Sequence, residues 1–359
     1  MVRALEGINL DIYQGETLGL VGETGCGKSV TSLSIMRLVA DPPGKIVDGE
    51  IIFKGEDLLK KSEAEMQQIR GSRITMVFQD PMTFLNPVLT IGDQVSEVIA
   101  LHEDLARDIV QSKIDEVQET IKQIDPASPE RERLLSQTKK LEALKGNPPK
   151  YSRREMKKAA MRRTIDVLKL VQMPSPEKVV RQYPHELSGG MRQRAIIAMA
   201  LSCSPDLLIA DEPTTSLDVT IQAQILALLS ELKKKIESSV LIITHDMGIV
   251  AEICDRVSVM YAGNVIETAE TRALFRSPLH PYTQGLLKAI PKLNRDTEEL
   301  EIIPGSVPNL IHPPSGCRFH PRCPYRMDKC DKAFPPLIEN EPGHLVACYL
   351  YQEKSQESK

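Results

Sequence analysis

A glycine-rich run, Gly22-Glu-Thr-Gly-Cys-Gly-Lys28-Ser29, has the residue types and spacing to hold a phosphate chain. Glycines let backbone N–H groups turn toward phosphate oxygens, and a following helix adds its positive end. Lys28 supplies a point charge at the outer phosphates, and the Ser29 hydroxyl can ligate magnesium. The candidate nucleotide-binding set is Gly22, Glu23, Thr24, Gly25, Cys26, Gly27, Lys28, Ser29 and Val30. Further along, Leu207-Leu-Ile-Ala-Asp211-Glu212 ends an apolar run in two carboxylates. Asp211 suits a metal ion with its water, and Glu212 suits the orientation or deprotonation of an attacking water. His245 follows a second apolar run, thirty-three residues beyond Glu212. Near the end stand Cys317, Cys323, Cys330 and Cys348. Four thiolates are the right number for zinc or for a four-iron, four-sulfur cluster. Their intervals of five, six and seventeen residues lack the C-x-x-C pairs usual for structural zinc, which favours the cluster.

These residues need elements to hold them. Apolar strand patterns fall at residues 5–12, 17–21, 49–53 and 74–77, and a helical run follows the glycine-rich loop. Residues 207–210 and 240–244 are short Leu-, Ile- and Val-rich runs, the pattern of buried parallel strands. Strands alternating with helices predict an α/β core. Residues 101–163 are highly charged with a thin apolar stripe, and read as a helical hairpin broken near 126–129 with a solvated face. After Pro291 nine further prolines make long secondary structure improbable, so the tail needs another source of order, such as a metal.

The bulk composition narrows the partners. With 359 residues and 41% hydrophobic content the chain can bury a large core, and a net charge of -4 gives no general attraction to nucleic acid. No run approaches the roughly 20 apolar residues of a membrane span, and no secretory signal pattern is present, so the expected location is cytoplasmic.

A phosphate-binding loop alone would permit a kinase, a GTPase or a motor. Between the loop and the paired carboxylates lies Leu187-Ser-Gly-Gly-Met-Arg-Gln193, which resembles the signature sequence of ABC ATPases through Leu187, Ser188, Gly189, Gly190 and Met191. Gln79 in Val77-Phe-Gln-Asp-Pro resembles the Q-loop of that family, Ser216-Leu-Asp218 the D-loop, and His245 the switch histidine. The resemblance covers residues 2–287 apart from the charged hairpin. It implies an α/β P-loop ABC ATPase core, a helical subdomain carrying the signature, and a C-terminal Cys-rich extension. It further implies two subunits packed head to tail, with Ser188, Gly189 and Gly190 reaching ATP held by the partner. Catalysis would fall to Glu212, His245 and Gln79, magnesium to Ser29, Gln79 and Asp211, and subunit communication to Asp218. The family's adenine-stacking aromatic, upstream of the first strand, has no clear counterpart, and Tyr13 lies too far along.

Three stretches narrow the resemblance to importers of oligopeptides, dipeptides and nickel: residues 183–194, 212–224 and 277–287. Membership of that group implies a different second ATPase subunit, two membrane-spanning permease subunits, an extracytoplasmic solute-binding protein and a place on the cytoplasmic face of the membrane. Nucleic acid is not among the expected partners. The cysteines resemble that group's extension, which holds a four-iron, four-sulfur cluster. The expected domains are an ATPase domain at 1–275, with the helical subdomain and charged insertion at about 80–200, and an extension at 276–359. The expected function is ATP-driven peptide uptake, with nickel or another small solute as the alternative within the family. From another class, a soluble ABC ATPase acting on ribosomes or DNA usually carries two cassettes or a long coiled coil. This chain has one cassette and a modest insertion.

Overall fold

The computed structural model describes residues 2–78, 84–125, 128–215, 217–290 and 303–352. The chain divides into two compact units, one of residues 1–79 and 206–359, the other of 80–205.

The first unit is organised by an eight-stranded sheet. Its strands are β1 (Thr17–Val21), β4 (Ile74–Val77), β5 (Leu207–Asp211), β6 (Ser239–Thr244), β7 (Arg256–Tyr261), β8 (Asn264–Glu270), β9 (Ile338–Glu341) and β10 (His344–Val346); β2 (Ile52–Phe53) and β3 (Glu56–Asp57) form a separate hairpin. The order across the large sheet is β4-β5-β6-β1-β7-β8-β10-β9. From β4 to β7 every neighbour is parallel, and β8, β10 and β9 then run antiparallel. The parallel strands β1, β5 and β6 are buried along their whole length, as their unbroken Leu/Ile/Val runs require. Leu18, Leu20, Ile209, Leu241, Ile243 and Met260 form the centre of this core.

Residues 5–12 form no strand, contrary to the expectation. Leu5, Ile8, Leu10 and Ile12 still pack against the core, but the segment finds no ladder partner, and a cavity of about 590 Å³ separates it from β4 and the β2–β3 hairpin. The strand expected at 49–53 shrinks to β2. In the tail, the short β9 and β10 extend the main sheet from β8, so sheet pairing gives part of this proline-rich region a source of order that the sequence did not suggest.

The second unit is helical. Helices Leu105–Gln123 and Pro129–Leu144 pack against each other as the expected hairpin, and Arg153–Leu170 packs on Ile91–His102, Leu105–Gln123 and Gly189–Leu201. Ser152 and Glu155 close a capping box, and Ser128 with Pro129 starts the preceding helix. Ile109, Val110 and Ile114 bury the stripe of the charged hairpin.

Leu241 lies in the centre of β6 with 0% exposure. Leu241→Ala should lower unfolding free energy by about 2–5 kcal/mol, read from urea denaturation of the purified chain.

Candidate functional site

Register assembles the phosphate-directed residues. β6 pairs in parallel with β1, setting Val21 opposite Thr244, and with β5, setting Asp211 opposite Ile243. The loop after β1, the carboxylates ending β5 and His245 after β6 therefore leave the same edge of the sheet, where open α/β folds place ligand chemistry.

The loop from Gly22 to Gly27 runs directly into helix Lys28–Ile35. Two glycines are obligatory. A Cβ on Gly22 would come within 2.2 Å of the Met260 carbonyl oxygen, and Gly27, which precedes the helix, has φ 108°. No side chain caps this helix, so its first N–H groups remain available to an anion. Lys28 is 6% exposed, with its ammonium 2.7 Å from the Gly22 carbonyl and 3.1 Å from that of Glu23. Cys26 is buried beneath the loop, and burial pushes its thiol up, so only its backbone can serve a ligand. Thr24, Gly25 and Ser29 are exposed, and Val30 is half-buried.

Asp211 is buried, and its Oδ1 has no hydrogen-bond partner among the described residues. Burial raises its carboxyl, against a hydrogen bond from Ser29. A buried carboxylate oxygen without a partner, beside a serine hydroxyl, fits an oxygen-ligated cation such as magnesium.

Glu212 leaves β5 with φ 47°, a left-handed conformation sparse for such a residue, held by its N–H donating to the Ile243 carbonyl at 2.8 Å. Its Oε1 lies 3.1 Å from His245 Nδ1, and its Oε2 accepts from Thr215 Oγ1 at 2.9 Å. Burial would raise its carboxyl, but the hydrogen bonds from His245 and Thr215 outweigh this and hold it below the usual range. Glu212 is thus an ionised carboxylate aimed by two hydrogen bonds, and the His245 side chain beside it is 60% exposed. Thr215 was not marked by the sequence. Its offset of three from Glu212 within a Pro-Thr-Thr turn is the signal that could have found it.

Asp218 caps helix Val219–Ile236, accepting from the Ile221 N–H at 2.9 Å. Gln79 and Ser216 lie outside the described residues. The signature belongs to the helical unit, where Ser188 caps helix Gly189–Leu201 with exposed Gly189 beside it, while Leu187 is buried and Gly190 and Met191 are half-buried.

In the tail, Cys317, Cys323, Cys330 and Cys348 line one cavity of about 10 Å³ with Phe319, Tyr325 and Tyr349. The backbone N–H of Met327 reaches Cys330 Sγ at 3.5 Å. Burial, then the neighbouring sulfurs, pushes Cys317 up to about 11 and Cys348 up to about 12. Among the described residues no three His, Cys, Asp or Glu side chains are close enough to hold one metal ion.

Comparison with known proteins bears on both regions. Residues 5–215 match the family model "ABC transporter", and residues 266–330 match "Oligopeptide/dipeptide transporter, C-terminal region". The chain is 44% identical over 355 residues to the dipeptide transport ATP-binding protein DppD of Bacillus subtilis, covering 99% of this chain and 91% of that one. It is 42% identical over 348 residues to the oligopeptide transport ATP-binding protein OppD of Escherichia coli, covering 97% and 88%. Among solved structures, cbiO1 from Clostridium perfringens, part of the ABC transporter complex cbiONQ, aligns with TM-score 0.52 and 27% identity over 76% of this chain and 84% of that one. The ATP-binding cassette MJ0796 bound to ADP and Pi aligns with TM-score 0.54 and 24% identity over 75% and 91%, a likeness of fold.

Lys28→Ala should weaken ATP binding by about tenfold or more, measured by titration with a fluorescent nucleotide. Glu212→Gln should keep nucleotide binding while lowering turnover by about 10²–10⁴-fold, measured by phosphate release.

Proposed function

We infer the function from one premise: the chain belongs to the ABC transporter ATP-binding family. It is the ATP-hydrolysing subunit of an importer of dipeptides or oligopeptides. The observation that carries this reading is the likeness to peptide-transport ATP-binding proteins along 97–99% of the chain, with the separate match of its C-terminal region. No helix among the described residues is long and apolar enough to cross a membrane.

The placement of the described residues supports a role for each, and that of Gln79 rests on the resemblance alone. The uncapped helix start and Lys28 hold the phosphates, Ser29 and Asp211 take magnesium, and Glu212 orients the attacking water while His245 and Thr215 aim its carboxylate. Magnesium, when bound, neutralises the charge that develops on the transferring phosphate. The start of the signature helix, at Ser188, Gly189 and Gly190, is capped by the Ser188 side chain but still offers a positive dipole end, and serves ATP bound by a second ATPase subunit packed head to tail. Asp218 and Gln79 carry the communication, Gln79 toward the membrane subunits and magnesium. Residues 1–275 act as the ATPase domain and 276–359 as the extension. The second ATPase is a different chain, the permease subunits are two, a solute-binding protein delivers cargo from outside, and the chain works at the cytoplasmic face.

The four cysteines fit a four-iron, four-sulfur cluster. The donor set is all thiol, Phe319, Tyr325 and Tyr349 stand among the walls, and Cys330 Sγ receives the Met327 N–H, a contact of the kind that stabilises cluster thiolates. The cluster would tie four points of the tail together, a structural role.

In proteoliposomes with its partner subunits, the chain should drive MgATP-dependent uptake of a labelled dipeptide, abolished by Glu212→Gln. Uptake of nickel without peptide would move the assignment to the nickel alternative. Anaerobically purified chain should contain about four irons and four sulfides. Stoichiometric zinc, or no metal, would overturn the cluster.

A further inference from the structure

Between the first two tail cysteines the chain reads Cys317-Arg-Phe-His-Pro-Arg-Cys323, and both arginines reach into the ATPase core. The Arg322 side chain is 7% exposed. One arm of its guanidinium donates to Glu23 Oε2 at 2.8 Å and to the Tyr261 hydroxyl at 3.2 Å. The other donates to Glu23 Oε1 at 3.2 Å and to the Ile303 carbonyl at 3.2 Å, while Nε donates to the Pro304 carbonyl at 2.8 Å. The five donors of a guanidinium thus all have partners, and two of them fork onto one carboxylate.

That carboxylate belongs to the phosphate-binding loop, where Glu23 directly follows Gly22. The Glu23 N–H is fixed as well, donating to the Tyr282 hydroxyl at 2.9 Å. Tyr282, Tyr261 and Phe319 pack as an aromatic cluster, with ring centroids 4.6 to 5.4 Å apart. At the other end of the loop, the Cys26 carbonyl accepts from the Gly263 N–H at 2.7 Å. Arg318 donates to the carbonyl of neighbouring Ala262 and pairs with Glu6. Residues between two cysteines therefore brace both ends of the loop that holds phosphate.

We propose that Arg322 is a positioning residue of the ATP site: it holds and neutralises Glu23, so that the ordering of the cysteine-rich segment sets nucleotide affinity. The proposal rests on the reading of residues 22–29 as the phosphate cradle. Without the guanidinium, the Glu23 carboxylate is an uncompensated negative charge beside a triphosphate site. Because binding couplings are reciprocal, bound nucleotide must in turn steady the segment 317–323.

The test uses the purified full chain and titration with MgATP. Arg322→Gln should weaken binding by about tenfold, the size of one charge-assisted hydrogen bond. Adding Glu23→Gln to that variant should restore most of the affinity, since the exposed charge is then gone; a residue that only stabilised the fold would show no such rescue. Hydrogen exchange over 317–323 should slow with MgATP in the wild type and not in Arg322→Gln. Equal affinity in the wild type and Arg322→Gln, or a double variant weaker than Arg322→Gln alone, overturns the proposal. If Lys28→Ala also binds MgATP as the wild type does, the phosphate-cradle reading fails and takes the proposal with it.

Discussion

Parallel pairing of β6 with both β1 and β5 is the constraint on which the site depends. A parallel ladder fixes direction as well as distance, so three strands in register must release their chains at one edge. The loop after Val21, the carboxylates at Asp211 and Glu212, and His245 after Thr244 come from points far apart in the sequence. None of them needs a long side chain to reach its neighbours. Glu212 uses the strand exit most directly, with a left-handed turn at its own Cα that aims the carboxylate at His245 and Thr215.

The tail is part of this arrangement. β10 adds to β8, and the link is reinforced inside the core. Glu267, with 0% exposure, accepts from the N–H groups of Leu279 and His280 at 2.7 and 2.9 Å, and its Oε1 lies 2.8 Å from His344 Nε2. Each of these contacts meets a buried polar group, where an unmet partner is costly, and the one to His344 joins residues 77 positions apart. The cysteine segment, the sheet edge and the phosphate-binding loop are thereby packed as neighbours within one unit.

What could be read from the sequence divides along the range of the interactions. The turn of the glycine-rich loop into a helix was legible because it is written in backbone geometry over eight adjacent positions. Asp211, Glu212 and His245 were legible because buried strands end where polar residues begin. The strands at 17–21 and 74–77 appear at their expected bounds, and those at 207–210 and 240–244 gain one residue each. Contacts made across the chain left no local mark. Glu23 and Arg322 are 299 positions apart, and neither is unusual in its own neighbourhood. Residues 5–12 carry the alternation of a strand, but alternation states which side is apolar and not whether a partner exists. The prolines of the tail rightly excluded long elements, yet they said nothing of two short strands that need only three or four residues each.

Those two strands also decide how the sheet ends. β8 would otherwise present its unpaired backbone groups along a deeply buried strand, an invitation to pair with another chain. β10 covers that flank, and β9 becomes the terminal strand with Glu339 and Glu341 exposed along it. Two like charges on so short a border repel an incoming copy of the same strand. β10 and β9 thus turn what would be an open, buried edge into a short, charged border.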